Sequence, residues 1–118
     1  MRLPTVLIVD DHPAFRSLAR ALLESEGFAV VGEAGDGEDA LVAVDELRPD
    51  VVLLDVQLPG LDGFEVAERL AVAGDPPAVV LISTRSAAAY GERLETTPAR
   101  GFIPKTSLSG ETLAALVS

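Results

Sequence analysis

Val51-Val52-Leu53-Leu54-Asp55-Val56-Gln57-Leu58-Pro59-Gly60 opens with four apolar residues in a row, meets one aspartate, and closes on a proline–glycine turn. A strand with one wet face alternates apolar and polar residues. A run without alternation is buried on both faces, as strands of a helix-covered parallel sheet are. The signature recurs on either side of this segment. Val6 to Val9 runs into Asp10 and Asp11, and Val79 to Ile82 runs into Ser83 and Thr84. Ala29 to Val31 and Gly101 to Pro104 read as two shorter strands, the second ending at Lys105.

Helical patterns fill the intervals. Pro13 suits a first helical turn, with Asp11 or His12 near the cap, and Phe15, Leu18, Ala19, Leu22 and Leu23 recur at helical spacing up to Gly27. A turn at Gly35-Asp36-Gly37 starts a second helix, with Ala40, Leu41, Val44 and Leu47 inward and Pro49 at its end. After turns at Pro59-Gly60 and Asp62-Gly63, a third helix puts Phe64, Ala67, Leu70 and Ala71 on one face, and Pro76-Pro77 breaks it. Ser86 to Pro98 carries the faintest helical pattern, since Gly91 and Pro98 shorten any helix there. Ser109 caps a last helix containing Leu113, Leu116 and Val117. The chain therefore reads as an α/β, (βα)5 doubly wound five-stranded parallel sheet with helices on both faces. Pro104 places the fifth strand at a sheet edge, where a missing N–H is tolerated.

Composition bounds what this fold can do. The 118 residues fit one domain, 1–118, with no output domain in the chain. Aromatics are 4% of residues, so Val, Leu, Ile and Ala must build the core. Cysteine is absent and histidine occurs once, which excludes disulfides, thiolate chemistry and multi-histidine metal sites. A net charge of −10 repels phosphate backbones and anionic lipid, so direct nucleic-acid or membrane binding is not expected. No apolar run reaches the ~20 residues of a membrane span, and the N-terminus lacks the apolar core of a signal peptide. A cytoplasmic protein is expected.

Ligands of open parallel sheets bind beyond the carboxyl ends of the strands, at the switch point in strand order. Four of the five strands here end in polar or charged groups: Asp10 and Asp11, Asp55, Ser83 and Thr84, and Lys105. If the strand order is 2-1-3-4-5, the first and third strands are neighbours, and three carboxylates would share one cleft with a hydroxyl and an ammonium. Clustered carboxylates repel one another unless a cation joins them. Mg2+, which prefers hard oxygen ligands and keeps several waters, is the natural candidate. A carboxylate beside a metal and an ammonium is also a good phosphoryl acceptor. Taken singly, each residue has an ordinary explanation as a helix cap, a turn residue or a solvated charge. Together, on one end of one sheet, they would require several independent coincidences.

VLIVDDHPAFR, VVLLDVQLPGLDGFEV, VVLIST and GFIPK resemble, in order and spacing, the response-regulator receiver domains of two-component signal transduction, along essentially the whole chain. The resemblance implies the strand order 2-1-3-4-5 and a function: a phosphoacceptor that takes a phosphoryl group from a histidine kinase onto Asp55. It further implies Mg2+ bound by Asp10, Asp11, Asp55 and the backbone carbonyl of Gln57. Lys105 would pair with a phosphoryl oxygen, Ser83 rather than Thr84 would supply the hydroxyl, and Phe102 would be the aromatic that swings inward on activation. The face made by the fourth helix, fifth strand and fifth helix would then be remodelled to control partner binding, and homodimers could form through it. Implied partners are a sensor histidine kinase or phosphotransfer protein, and an unidentified downstream target or output domain. Gln57 and Arg85 occupy positions that tune acyl-phosphate lifetime in this family. Thr106 departs from the proline that often follows the lysine, and a trans Lys105–Thr106 bond is expected because a non-proline cis bond costs roughly 3 kcal/mol.

On this reading the chain is no enzyme beyond self-directed phosphotransfer and autodephosphorylation. One alternative is a receiver-like interaction module that works without phosphate. Another is an aspartyl-phosphate phosphatase, but those carry a second aspartate two residues after a first-strand nucleophile, and Asp10-Asp11-His12 lacks that spacing. A flavin-binding version of the fold lacks a phosphate-cradling loop after the first strand. The short last helix and acidic surface favour a stand-alone receiver over one excised from a longer regulator.

Overall fold

The computed structural model describes residues 2–117. Its elements are β1 (Thr5–Val9), α1 (Pro13–Ser25), β2 (Ala29–Ala34), α2 (Gly37–Leu47), β3 (Val51–Asp55), α3 (Gly63–Ala71), β4 (Ala78–Ser83), α4 (Glu92–Thr96), β5 (Gly101–Pro104) and α5 (Gly110–Val117). Single 3₁₀ turns at Ala87–Ala89 and Lys105–Ser107 precede α4 and follow β5. All strand pairs are parallel, in the order β2-β1-β3-β4-β5. Pro104 lies on the edge strand. No cis peptide bond occurs among the described residues, so Lys105–Thr106 is trans. None of the described helices is long and apolar enough to cross a membrane.

The unbroken apolar runs are buried because each strand feeds two cores. Alternate side chains point to opposite faces. Val6, Ile8, Val51, Leu53, Val80 and Ile82 pack with Ala19 and Leu23 of α1 and Leu113 of α5. Leu7, Val9, Val52, Leu54, Val79 and Leu81 pack with Ala40 and Val44 of α2 and Phe64, Val66, Ala67 and Leu70 of α3. The helix caps are local chemistry. Asp62 accepts from Glu65 N (2.9 Å) while Glu65 Oε1 accepts from Asp62 N, a capping box that starts α3. Ser109 Oγ accepts from Thr112 N at 3.0 Å and Thr112 Oγ1 accepts from Ser109 N at 2.9 Å, which starts α5 in the same way. Gly27, at φ +97°, ends α1 and lets Phe28 N donate to Leu23 O, with both side chains buried together.

Three apolar residues of the helical patterns are exposed. Leu18 is exposed, because it lies about 100° round the helix from the buried Ala19. Leu47 is half-exposed, since it covers Gly32 of β2, the other edge strand, beyond which no further strand pairs among the described residues. Ala71 is exposed at the last turn of α3.

At the amino ends of the strands, Asp50 ties β1 to β3. Its Oδ2 accepts from Thr5 N (2.8 Å) and Thr5 Oγ1 (3.1 Å), and Oδ1 accepts from Arg2 (2.9 Å). These bonds, Arg2 first and then the Thr5 N–H, hold its carboxyl below the ordinary aspartate range. A depressed carboxyl stabilises the fold above the unfolded value of about 3.9, and that contribution is lost as pH falls through the lower folded value. Asp50→Ala should therefore cost about 1 kcal/mol at pH 7, discounted for the half-exposed setting, and much less near pH 2. Urea denaturation at the two pH values reads the difference.

Candidate functional site

Parallel register lines up the carboxyl ends of the central strands. Val9 pairs with Leu54, Asp55 with Ile82, and Ser83 with Pro104. The next residues along, Asp10 and Lys105, therefore emerge level with Asp55 and Ser83 on one rim of the sheet. Asp10 and Ser83 are fully buried and Asp55 is 2% exposed, which is unusual for groups that interact strongly with water.

Each buried carboxylate is oriented by the chain that follows it. Asp10 Oδ1 accepts from His12 N at 2.8 Å, and Asp55 Oδ1 accepts from Gln57 N at 3.1 Å. Both are two-residue turns in which the aspartate caps its own loop. The other oxygens face one ammonium: Lys105 Nζ lies 2.5 Å from Asp10 Oδ2 and 3.2 Å from Asp55 Oδ2. The contact with Asp10 is an ion pair without hydrogen-bond alignment, so the buried Asp10 Oδ2 accepts no directed hydrogen bond. The Lys105 ammonium also rests over the Phe15 ring, 4.4 Å from its centroid. Arg16 Nη1 donates to the Asp10 carbonyl (2.7 Å) and anchors the β1–α1 loop.

The electrostatics follow from burial and neighbours. Burial pushes the Asp55 carboxyl above its ordinary value and the Asp10 charge adds to that push, while the Gln57 N–H and Lys105 pull the other way without cancelling it. Burial alone would lower the Lys105 ammonium, but the two aspartates outweigh it and hold it above its ordinary value, so it is charged at neutral pH.

Asp10, Asp11, His12 and Asp55 each offer a ligand atom, all within 4.8 Å of one another. Asp10, Asp11 and Asp55 carry three negative charges against the one positive charge of Lys105, leaving two, the charge of one divalent cation. The hard carboxylate oxygens of these three residues fit such an ion. His12 entered the sequence reading only as a helix-cap residue. It does stand at the N-cap of α1, but without a side-chain cap bond, and its Nδ1 lies 3.1 Å from Asp10 Oδ1 and 3.0 Å from Asp11 Oδ1. The Gln57 side chain is exposed, and its backbone is fixed in the loop by Asp55.

Ser83, rather than the exposed Thr84, is the hydroxyl at the rim. Its Oγ accepts from Arg85 N (3.0 Å) and lies 2.6 Å from Tyr90 Oη. Phe102 is half-buried on β5, edge-on to Tyr90 with ring centroids 5.8 Å apart. Sequence reasoning missed Tyr90. A lone tyrosine in a segment of small and polar residues was the available signal.

Comparison with known proteins identifies the family. The family model described as "Response regulator receiver domain" matches residues 6–117. The virulence-factor transcription regulator BvgA of Bordetella pertussis is 41% identical over 100 residues, which cover 85% of this chain and 48% of BvgA. The chain thus spans about half the length of the curated relatives it matches. The signal receiver domain of NarL from Mycobacterium tuberculosis superposes with a TM-score of 0.86 and 36% identity over 98% of both chains. A chain of the CheX–CheY–BeF3–Mg2+ complex from Borrelia burgdorferi matches with a TM-score of 0.82 and 27% identity, over 97% of this chain and 86% of that one.

Proposed function

The chain belongs to the response-regulator receiver family, and from that premise we propose that Asp55 accepts a phosphoryl group from a sensor histidine kinase or a phosphotransfer protein. One observation carries the reading: a buried Asp55 carboxylate shares the Lys105 ammonium with the buried Asp10. Asp55 Oδ2, the oxygen on the Lys105 side, attacks phosphorus in line. The phosphorus–nitrogen bond of the donor phosphohistidine breaks, its electron pair returns to the imidazole, and an acyl phosphate forms on Asp55. Lys105 stays protonated and exchanges its contact with Asp55 for one with a phosphoryl oxygen. Gln57 N holds Oδ1, so the carboxylate keeps one orientation throughout.

Asp10, Asp11 and Asp55, with the backbone carbonyl of Gln57, would hold Mg2+, and His12 lies against the same oxygens. Bound there, Mg2+ neutralises charge on the transferring group and on the carboxylates. The Mg2+ and beryllofluoride in the matched CheX–CheY complex are the basis for naming this ion. Ser83 and Phe102 carry the response, reshaping the face of α4, β5 and α5 on which a downstream protein or a second copy docks. The residues support a cytoplasmic signalling phosphoacceptor rather than a turnover enzyme.

Incubation with Mg2+ and acetyl phosphate should add one phosphoryl group, read by intact-mass spectrometry. Chelation of the metal should reduce the adduct at least tenfold. An absent adduct in Mg2+ would instead favour an interaction module that works without phosphate.

A further inference from the structure

Resting on the phosphoacceptor reading, we propose that Tyr90 is a positioning residue that holds the Ser83 hydroxyl away from the acceptor and lets it go when Asp55 is phosphorylated. Ser83 has one hydroxyl and no exposure, and that hydroxyl is committed. It sits 2.6 Å from Tyr90 Oη and accepts from Arg85 N. A hydroxyl has one proton and few directions, and side chains occupy discrete rotamers. Turning Oγ toward a phosphoryl oxygen therefore breaks the bond to Tyr90.

Tyr90 can transmit that break because of what else it touches. Its ring packs edge-on between Phe64 of α3 (5.6 Å, 65°) and Phe102 of β5 (5.8 Å, 61°). Arg93 of α4 lies over the Phe64 ring, 4.2 Å from its centroid, and pairs with Asp62 at 2.9 Å. The segment that carries Tyr90 is lightly anchored. Ala87–Ala89 and the five-residue α4 contain no buried residue, and Gly91, at φ +54°, separates them. Tyr90 and Leu94 are the partly buried apolar residues that pin this segment to the core. Loss of the Ser83 bond leaves Tyr90 Oη without that partner, which favours movement of the ring toward water and frees Phe102 from its neighbour. One hydrogen bond thus links the phosphoryl site to α4 and β5.

Tyr90 is the sole tyrosine in a chain without tryptophan, so intrinsic emission reports it directly. Beryllofluoride with Mg2+ serves as the probe, its binding measured by calorimetry alongside fluorescence. Wild type should bind and change its tyrosine emission. Ser83→Ala should show altered emission before any addition and little further change. Tyr90→Phe keeps the ring stack but frees Ser83, and should bind beryllofluoride about 5-fold tighter, roughly 1 kcal/mol. A merely structural role would give equal or weaker binding. Wild-type binding with unmoved emission, or Tyr90→Phe binding no tighter than wild type, overturns the latch while leaving the phosphoacceptor reading in place. No wild-type binding of beryllofluoride overturns both.

Discussion

Asp55→Asn should abolish phosphoryl acceptance and, in the metal-free protein, raise stability. The first effect is chemical, because the amide oxygen is a far weaker nucleophile than a carboxylate. The adduct formed with Mg2+ and acetyl phosphate should fall below detection by intact mass. The second effect follows from the sign of the ionisation. Asp55 is disfavoured as an anion first by burial and then by Asp10, and Gln57 N and Lys105 do not fully offset this. A carboxyl raised in the folded state costs stability above its folded value, and that cost disappears as pH falls below the unfolded value of about 3.9. Asparagine removes the cost while Lys105 keeps Asp10 as its partner. The variant should gain about 1 kcal/mol at pH 7 in chelator, the usual scale for relieving a functional-site conflict. The gain should vanish near pH 3. A variant that unfolds more easily at pH 7 would mean that the Lys105–Asp55 contact holds the fold together rather than poising the site.

Much of this site is legible in sequence because its residues sit where uninterrupted apolar runs stop. Val6–Val9, Val51–Leu54 and Val79–Ile82 announce buried parallel strands, and parallel register brings Asp10, Asp55 and Ser83 to one rim. The strand order came with the family resemblance, since run length alone does not say which strands are neighbours. Residues off the strands were less legible. Tyr90 reaches Ser83 only through the path of the loop after β4, and a segment without apolar periodicity gives no hint of that path. His12 had a sufficient explanation as a helix cap, which hid its position between two carboxylates. Leu18 and Leu47 belong to the helical spacing but lie at margins of the buried stripe, where spacing predicts an arc wider than the sheet can cover. Gly63 read as an ordinary turn glycine after Asp62, yet its role is steric.

Gly63→Ala should be the most disruptive small substitution outside the strands. A Cβ there would lie 2.5 Å from the Asp55 carbonyl oxygen and 2.8 Å from Val56 Cα, and these backbone atoms cannot turn aside. Gly63 N also donates to Val56 O at 2.8 Å, so the start of α3 is pinned against the end of β3. Helix propensity argues the other way, favouring alanine over glycine by roughly 0.5–1 kcal/mol. Overpacking a fixed contact costs about 1–3 kcal/mol or more, so the steric effect should win, with a net loss of about 2 kcal/mol in urea denaturation. The displaced α3 carries the buried Phe64, and through it the Tyr90 ring, while the backbone that orients Asp55 is pushed directly. Phosphoryl acceptance should therefore slow several-fold even in the folded fraction. Gly60→Ala separates this from conformational strain. Gly60 has φ +75° but nothing within 4 Å of its virtual Cβ, so alanine there should cost about 1 kcal/mol and leave acceptance nearly unchanged. If the two variants behaved alike, glycine would matter here for its dihedral freedom. A loss of acceptance confined to Gly63→Ala would show that Asp55 is held in place by how closely α3 is allowed to approach it.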